Sequence, residues 1–308
     1  MAESPIQQVS DTAFLVAYHR AVESARKDAL FSDPLAQRLA GENGRRMAEH
    51  MPTRAMTGWV VAMRTVVIDG LIQEAVANGV ELVVNLGAGL DTRPYRMQLP
   101  AGLRWLEVDQ AHIIAFKQQQ LATETPTCHL EQLAVDLADV SARRALFAAL
   151  EAREQRMLVL TEGVVPYLDV AAAAELADDL HGLAHVEAWI VDYVSPQVAA
   201  YRRRAGADRA MGNAQFKFDP PDWHAFFAEH GWRARDMRYI AEKARTLGRT
   251  PPLPLFARAA MALGRALGGG RRSVGFEQSM GYAVMERLER GDADGFVASS
   301  RSAIGAIA

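Results

Sequence analysis

The 308 residues are 50% hydrophobic and 23% charged, with 34 basic against 37 acidic side chains and a formal net charge of −3. These values exclude wholesale disorder, a collagen-like repeat and a disulfide scaffold, and they offer no general attraction to nucleic acid or to an anionic membrane. The single cysteine, Cys128, cannot form an internal bridge; residues 1–10 lack the layout of a secretory signal, and no run approaches the roughly 20 continuous apolar residues of a membrane span, so a cytoplasmic protein is expected.

At roughly 150 residues per domain, the length allows about two domains or one elaborated α/β domain. Residues 11–27 read as a helix, with Phe14, Leu15, Tyr18, Val22 and Ala25 at helical spacing. Asp33 and Pro34 can open a second short helix. A longer helix spans 57–78 and stops at Asn78-Gly79. The rhythm then changes: 81–86 is a short apolar run ended by glycine, as in a buried parallel strand. Similar runs at 104–108, 133–135, 157–161 and 188–191 alternate with helical stretches at 111–121, 141–153 and 170–183. This alternation predicts right-handed βαβ units and a doubly wound sheet. Residues 235–240 and 282–287 can add two more strands as a closing hairpin.

One segment breaks the pattern. Between Glu242 and Glu277 there is no acidic residue, while Arg245, Arg249, Arg258, Arg265, Arg271 and Arg272 accumulate. It reads as an insertion with a helix over 255–267 between Pro251-Pro252-Leu253-Pro254 and Gly268-Gly269-Gly270, either a solvated linker or lid or a basic docking surface. The expected division is a helical cap at 1–78, a doubly wound α/β core at 79–242, the basic lid at 243–275 and a final strand and tail at 276–308.

The most informative stretch is Leu86-Gly87-Ala88-Gly89-Leu90-Asp91-Thr92-Arg93. A strand running into Gly-x-Gly lets the chain turn sharply and lets a ligand approach bare backbone, although a plain strand-to-helix turn reads the same way. Thr92 stands where a dinucleotide fingerprint has its third glycine, which counts against NAD or FAD. Asp109, ending the second strand, suits both ribose hydroxyls. Asp136 and Leu137, ending the third, suit adenine. No phosphate cradle follows the first strand, so S-adenosyl-L-methionine fits better than a dinucleotide. Glu162 ends the fourth strand, and either contacts the ligand's ammonium group or caps the next helix. Arg64 lies among apolar neighbours and needs an anion, either a ligand carboxylate or a protein one.

These residues resemble the leucine carboxyl methyltransferase family, and more closely its bacterial branch of S-adenosylmethionine-dependent, polyketide-type O-methyltransferases. The matches are Arg20-Ala21-x-Glu23-Ser24, Leu30-Phe31-x-Asp33-Pro34-Leu35-Ala36, Arg64-Thr65, the run Leu86 to Arg93, Glu107-Val108-Asp109, Asp136-Leu137, and Glu162-Gly163 with Tyr167-Leu168. They span about 20–168. The resemblance implies a class I methyltransferase fold: a seven-stranded, mostly parallel, doubly wound Rossmann-like sheet with an N-terminal helical cap. It implies S-adenosyl-L-methionine as cofactor, with Arg64 on the methionine carboxylate, Gly87 at the methionine backbone, Asp109 on the ribose, Asp136 and Leu137 at the adenine and Glu162 near the methionine end. Ala88, Gly89 and Asp91 belong to the same loop. A basic residue of the first helix closes over the ligand in relatives, for which Arg26 or Lys27 is the candidate.

Methyl transfer from a sulfonium needs positioning rather than a metal, and the eight histidines show no ligand spacing. The expected acceptor is a carboxylate or hydroxyl of a small acid or polyketide-like product, with no nucleic-acid or membrane partner. Tyr18, His19 and Tyr193 are the candidates for catalysis. A nicotinamide oxidoreductase and a non-catalytic adenosine-binding module are the alternatives.

Overall fold

The computed structural model describes residues 9–204, 212, 214–253 and 277–288. Three helices come first: α1 (Thr12–Ser24), α2 (Ala36–His50) and α3 (Arg54–Ala77). Then β1 (Leu82–Leu86), the one-turn α4 (Arg93–Arg96), β2 (Arg104–Asp109), α5 (Ala111–Gln120), β3 (His129–Ala134), α6 (Val140–Glu151) and β4 (Met157–Leu160) alternate. The second half supplies α7 (Val170–His181), β5 (Val186–Val194), α8 (Pro196–Arg204), α9 (Trp223–Glu229), β6 (Trp232–Tyr239), α10 (Ile240–Thr246) and β7 (Met280–Arg287).

The seven strands form one sheet in the order β3-β2-β1-β4-β5-β7-β6. β1 to β5 are parallel, while β7 pairs antiparallel with both β5 and β6. The chain thus runs outward from β1 through β2 to β3, then crosses back to β4 on its other side. This crossing makes a switch point, beyond whose strand ends α/β sheets bind ligands.

Alternate strand residues feed two cores. Val84, Leu86, Val108, Val159 and Trp189 pack with α6, α7 and α9, whereas Val83, Trp105, Leu158, Leu160 and Ile190 pack beneath α3. By length and composition α3 could cross a membrane. It is instead the inner wall of this domain: Met63, Val67, Ile68, Leu71 and Ile72 are buried on the sheet, and Asp69 pairs with Arg93 and Arg96.

The elements differ from the sequence reading at particular places. β3 begins at His129 rather than 133, because it is the sheet's edge strand and carries exposed polar positions that hide the apolar pattern. β5 runs to Val194, where antiparallel pairing with β7 extends it. The expected hairpin of β6 and β7 forms, but Ile240 opens α10 instead of ending β6. α8 and α9 were not anticipated; Asp222 caps α9 by accepting from the Ala225 amide at 2.9 Å. The expected helix at 255–267, the glycines at 268–270 and the tail beyond 288 lie outside the described residues.

Asp33 does more than open a helix. It accepts from the Ala36 amide at 3.1 Å, and it also receives Arg20 Nε at 2.9 Å and the Thr92 hydroxyl at 2.7 Å. Arg20 continues to the Leu90 carbonyl at 2.6 Å. These buried groups fasten the helical cap onto the loop after β1. A charge buried with a full set of partners is tolerated, whereas removing one partner strands the rest.

Candidate functional site

Beyond the ends of β1 to β4 lies a cavity of about 320 Å³, at the low end of the roughly 300–1,000 Å³ usual for small-molecule sites. Gly87, Ala88 and Gly89 follow β1, Asp109 ends β2, Asp136 and Leu137 follow β3, and Glu162 and Gly163 follow β4; all line this cavity. Thr12, Ala13, Val16 and Arg20, spaced along one face of α1, roof it.

The loop after β1 needs its glycines. Gly87 has φ +69° and Gly89 φ +50°, and a Cβ on Gly87 would stand 2.4 Å from Val164 Cγ2. Both turn positions therefore expose bare backbone to the cavity. Asp109 closes the loop: Oδ2 accepts from the Gly89 amide at 2.6 Å and Oδ1 from the Gln110 amide at 2.7 Å. Each carboxylate oxygen keeps a lone pair for a hydroxyl. Asp136 is exposed and half-held by the Ala138 amide at 3.0 Å, with Leu137 half-buried beside it.

At the other end the charges are interlocked. Arg64 Nε lies 2.6 Å from Glu162 Oε1, and Arg93 Nη1 lies 2.7 Å from Glu162 Oε2. Burial raises the Glu162 pKa, but Arg64 and Arg93 outweigh it and leave it below its ordinary value. Arg64 therefore has a protein carboxylate, one of the two partners expected for it. A Cβ built on Gly163 would sit 3.8 Å from Arg64 Nη1, so the guanidinium still borders bare backbone.

Asp91 lines the cavity, yet its carboxylate is committed elsewhere. Oδ2 receives Arg93 Nη1 at 2.8 Å and Asn85 Nδ2 at 2.9 Å, and Oδ1 receives the Arg93 amide at 3.0 Å. Burial pushes its pKa up, and the charges of Arg93, Lys117, Arg20 and Arg96 more than reverse this, holding it well below the carboxylate range. Asp91 braces the loop from beneath.

Four expected residues lie away from the cleft. Tyr18, His19 and Arg26 line a different cavity, of about 520 Å³, between α1, α3 and residues 248–252. For the two α1 residues the reason is helical spacing: the cleft takes positions 12, 13, 16 and 20 of α1, and 18, 19 and 22 turn to an adjoining face. Arg26 lies beyond the end of α1, exposed, and pairs with Asp28. Tyr193 lines a third cavity of about 190 Å³ with Phe218, Trp223 and His224. Conversely, Arg20, Arg93 and Tyr167 shape the cleft without having been singled out for it. Arg93 had a signal, a guanidinium inside a loop of small and apolar residues, but only the tertiary structure supplies its three carboxylates.

The family described as leucine carboxyl methyltransferase matches residues 13–181. A Frankia alni protein named as an S-adenosyl-L-methionine-dependent methyltransferase is 33% identical over 264 residues, covering 79% of this chain and 90% of the relative. One so named from Streptomyces avermitilis is 35% identical over 272 residues, covering 78% and 89%. Among solved structures, one from Thermobifida fusca, named as a methyltransferase, overlays with a TM-score of 0.55 at 13% identity, covering 92% of this chain and 96% of that one. A DUF574 family protein of Streptomyces avermitilis gives 0.52 at 16%, covering 93% and 99%. The chain belongs to the leucine carboxyl methyltransferase family, as its motifs indicated, and the structural overlays agree on the fold.

Proposed function

We propose that this S-adenosyl-L-methionine-dependent methyltransferase delivers its methyl group to oxygen, on a carboxylate or hydroxyl of a small acid or polyketide-like product. The observation carrying the reading is the convergence of Gly87, Asp109, Asp136 and Glu162, from four successive strand ends, on one cavity. When bound, the cofactor supplies an electrophilic methyl carbon. The residues then have positioning roles: Asp109 accepts from the ribose hydroxyls, Asp136 and Leu137 take the adenine, and Arg64, held by Glu162, faces the amino-acid carboxylate. Holding reactants in line and excluding water is most of what such a displacement needs.

The aromatic cavity around Tyr193 supports a flat, apolar acceptor. Pro166 lines that cavity while the next residue, Tyr167, lines the cleft. Asp192 also lines it, and its Oδ2 accepts from the Gly163 amide at 2.9 Å. Burial, opposed by Arg64, raises the Asp192 carboxyl to about 6. A carboxylate acceptor is already ionised and needs only orientation; for a hydroxyl, Asp192 is a base poised near neutrality. The proposed partner is the small acceptor alone.

The test supplies cofactor with an isotopically labelled methyl group and a panel of phenolic and carboxylic acids together with their amine and thiol analogues. Label recovered as an ether or ester supports the reading. Label found only on nitrogen or sulfur rejects it, and tight S-adenosylhomocysteine binding with no transfer at all favours a binding module.

A further inference from the structure

The 520 Å³ cavity between α1 and α3 shares no lining residue with the cofactor cleft. On α3, its walls are Arg54, Ala55, Gly58, Trp59, Ala62 and Met63, whereas the next residue, Arg64, belongs to the cleft.

Two polar groups in this cavity are incomplete. His19 is 3% exposed, and its Nε2 has no hydrogen-bond partner. An unpaired polar atom away from water costs free energy comparable to a lost hydrogen bond. Gly58 makes room for the ring: a Cβ there would lie 2.9 Å from His19 Nδ1. Burial, then the Arg54 charge, lower the His19 pKa to about 4, so the imidazole is neutral at neutral pH and adds no positive charge to the wall.

The second group is Arg54. It donates to the Tyr18 hydroxyl at 2.6 Å and lies over the Tyr18 ring, and among the described residues it has no carboxylate in an ion pair. The other two arginines on the wall are matched. Arg26 pairs with Asp28 and Glu23, and Arg249 with the same two acids. Among the described residues, the lining thus carries one cation in excess. Val22, Trp59, Ala62 and Met63 make the rest of the wall apolar.

We propose that this cavity is a second small-molecule site, for a monocarboxylate with an apolar body, its charge on Arg54 and its body along the apolar wall beside the His19 ring. It stands apart from methyl transfer, and its occupant is not the acceptor.

Calorimetric titration of the full chain with 3-phenylpropionate and octanoate, each against its uncharged alcohol, tests this. Saturable binding of at least one carboxylate is expected, with the alcohols about tenfold weaker or more. Filling the cofactor cleft with S-adenosylhomocysteine should leave the affinity unchanged. Arg54→Met should weaken it by about 10- to 100-fold, with Arg54→Lys recovering part. The exposed position of Arg54 keeps the variant folded, which its melting curve verifies. Failure of both carboxylates to bind, displacement by S-adenosylhomocysteine, methyl-ester formation on the probe, or undiminished binding to Arg54→Met overturns the proposal. If S-adenosylhomocysteine itself fails to bind, the cofactor assignment falls, while the carboxylate and Arg54 comparisons still decide this one.

Discussion

The Asp109 carboxylate and the Gly89 amide, twenty residues apart in the chain, meet at 2.6 Å and tie the end of β2 to the glycine turn after β1. One side chain therefore shapes the loop and presents acceptor lone pairs to the cavity. Asp109→Ala should weaken S-adenosylhomocysteine binding by about 1.5–3 kcal/mol, the range for losing charged hydrogen bonds. Calorimetry checks it, and unchanged affinity in a folded variant removes Asp109 from the ligand contacts.

Arg64 is paired through Nε with Glu162, and the proposed ligand carboxylate is its second anion. Arg64→Met should therefore weaken S-adenosylhomocysteine by about tenfold or more. It should affect 5′-methylthioadenosine, which lacks the amino-acid tail, much less. Equal losses for the two ligands would contradict the assigned role.

Gly87 combines a left-handed backbone with the close approach of Val164. Gly87→Ala should cost about 1–2 kcal/mol from the backbone alone, and more from the collision. Adding Val164→Ala relieves the collision but not the strain, so the double variant should recover only part of the loss in urea unfolding.

Asp33 serves Arg20, Thr92 and the Ala36 amide at once. Asp33→Ala leaves the Arg20 guanidinium buried without its carboxylate and should destabilise by about 3–5 kcal/mol. The loss should begin in the cap, so limited proteolysis is expected to cut within α1 or α2 before the sheet.

Asp192 makes stability depend on pH in an unusual direction. Its folded carboxyl is raised, by burial against the attraction of Arg64, from 3.8 to about 6. The folded state thus holds a proton that the unfolded chain releases. Its contribution is most favourable below about pH 4 and declines as pH rises to about 6. Asp192→Asn cannot lose that proton. Relative to wild type, the variant should gain roughly 2–3 kcal/mol between pH 4 and pH 7 in denaturant titrations. A constant difference would show that folding leaves the Asp192 pKa unchanged.

The chain's own pattern determined the alternation of strands and helices, the glycine turn after β1 and the acids at three later strand ends. Those features are local: a period of two or 3.6, a glycine after an apolar run, a carboxylate where such a run stops. Tertiary structure decided which charges face a ligand and which hold the protein together. Asp91 and Glu162 look alike in sequence, each a carboxylate in the loop that follows an apolar strand. Yet Asp91 is consumed by Arg93 and Asn85 beneath the loop, whereas Glu162 stands in the wall between Arg64 and Arg93. Tyr18 and His19 miss the cleft for a related reason. The face that α1 gives the sheet depends on how Arg20 locks to Asp33 and Leu90, a contact between segments 13 and 70 residues apart that no local pattern encodes.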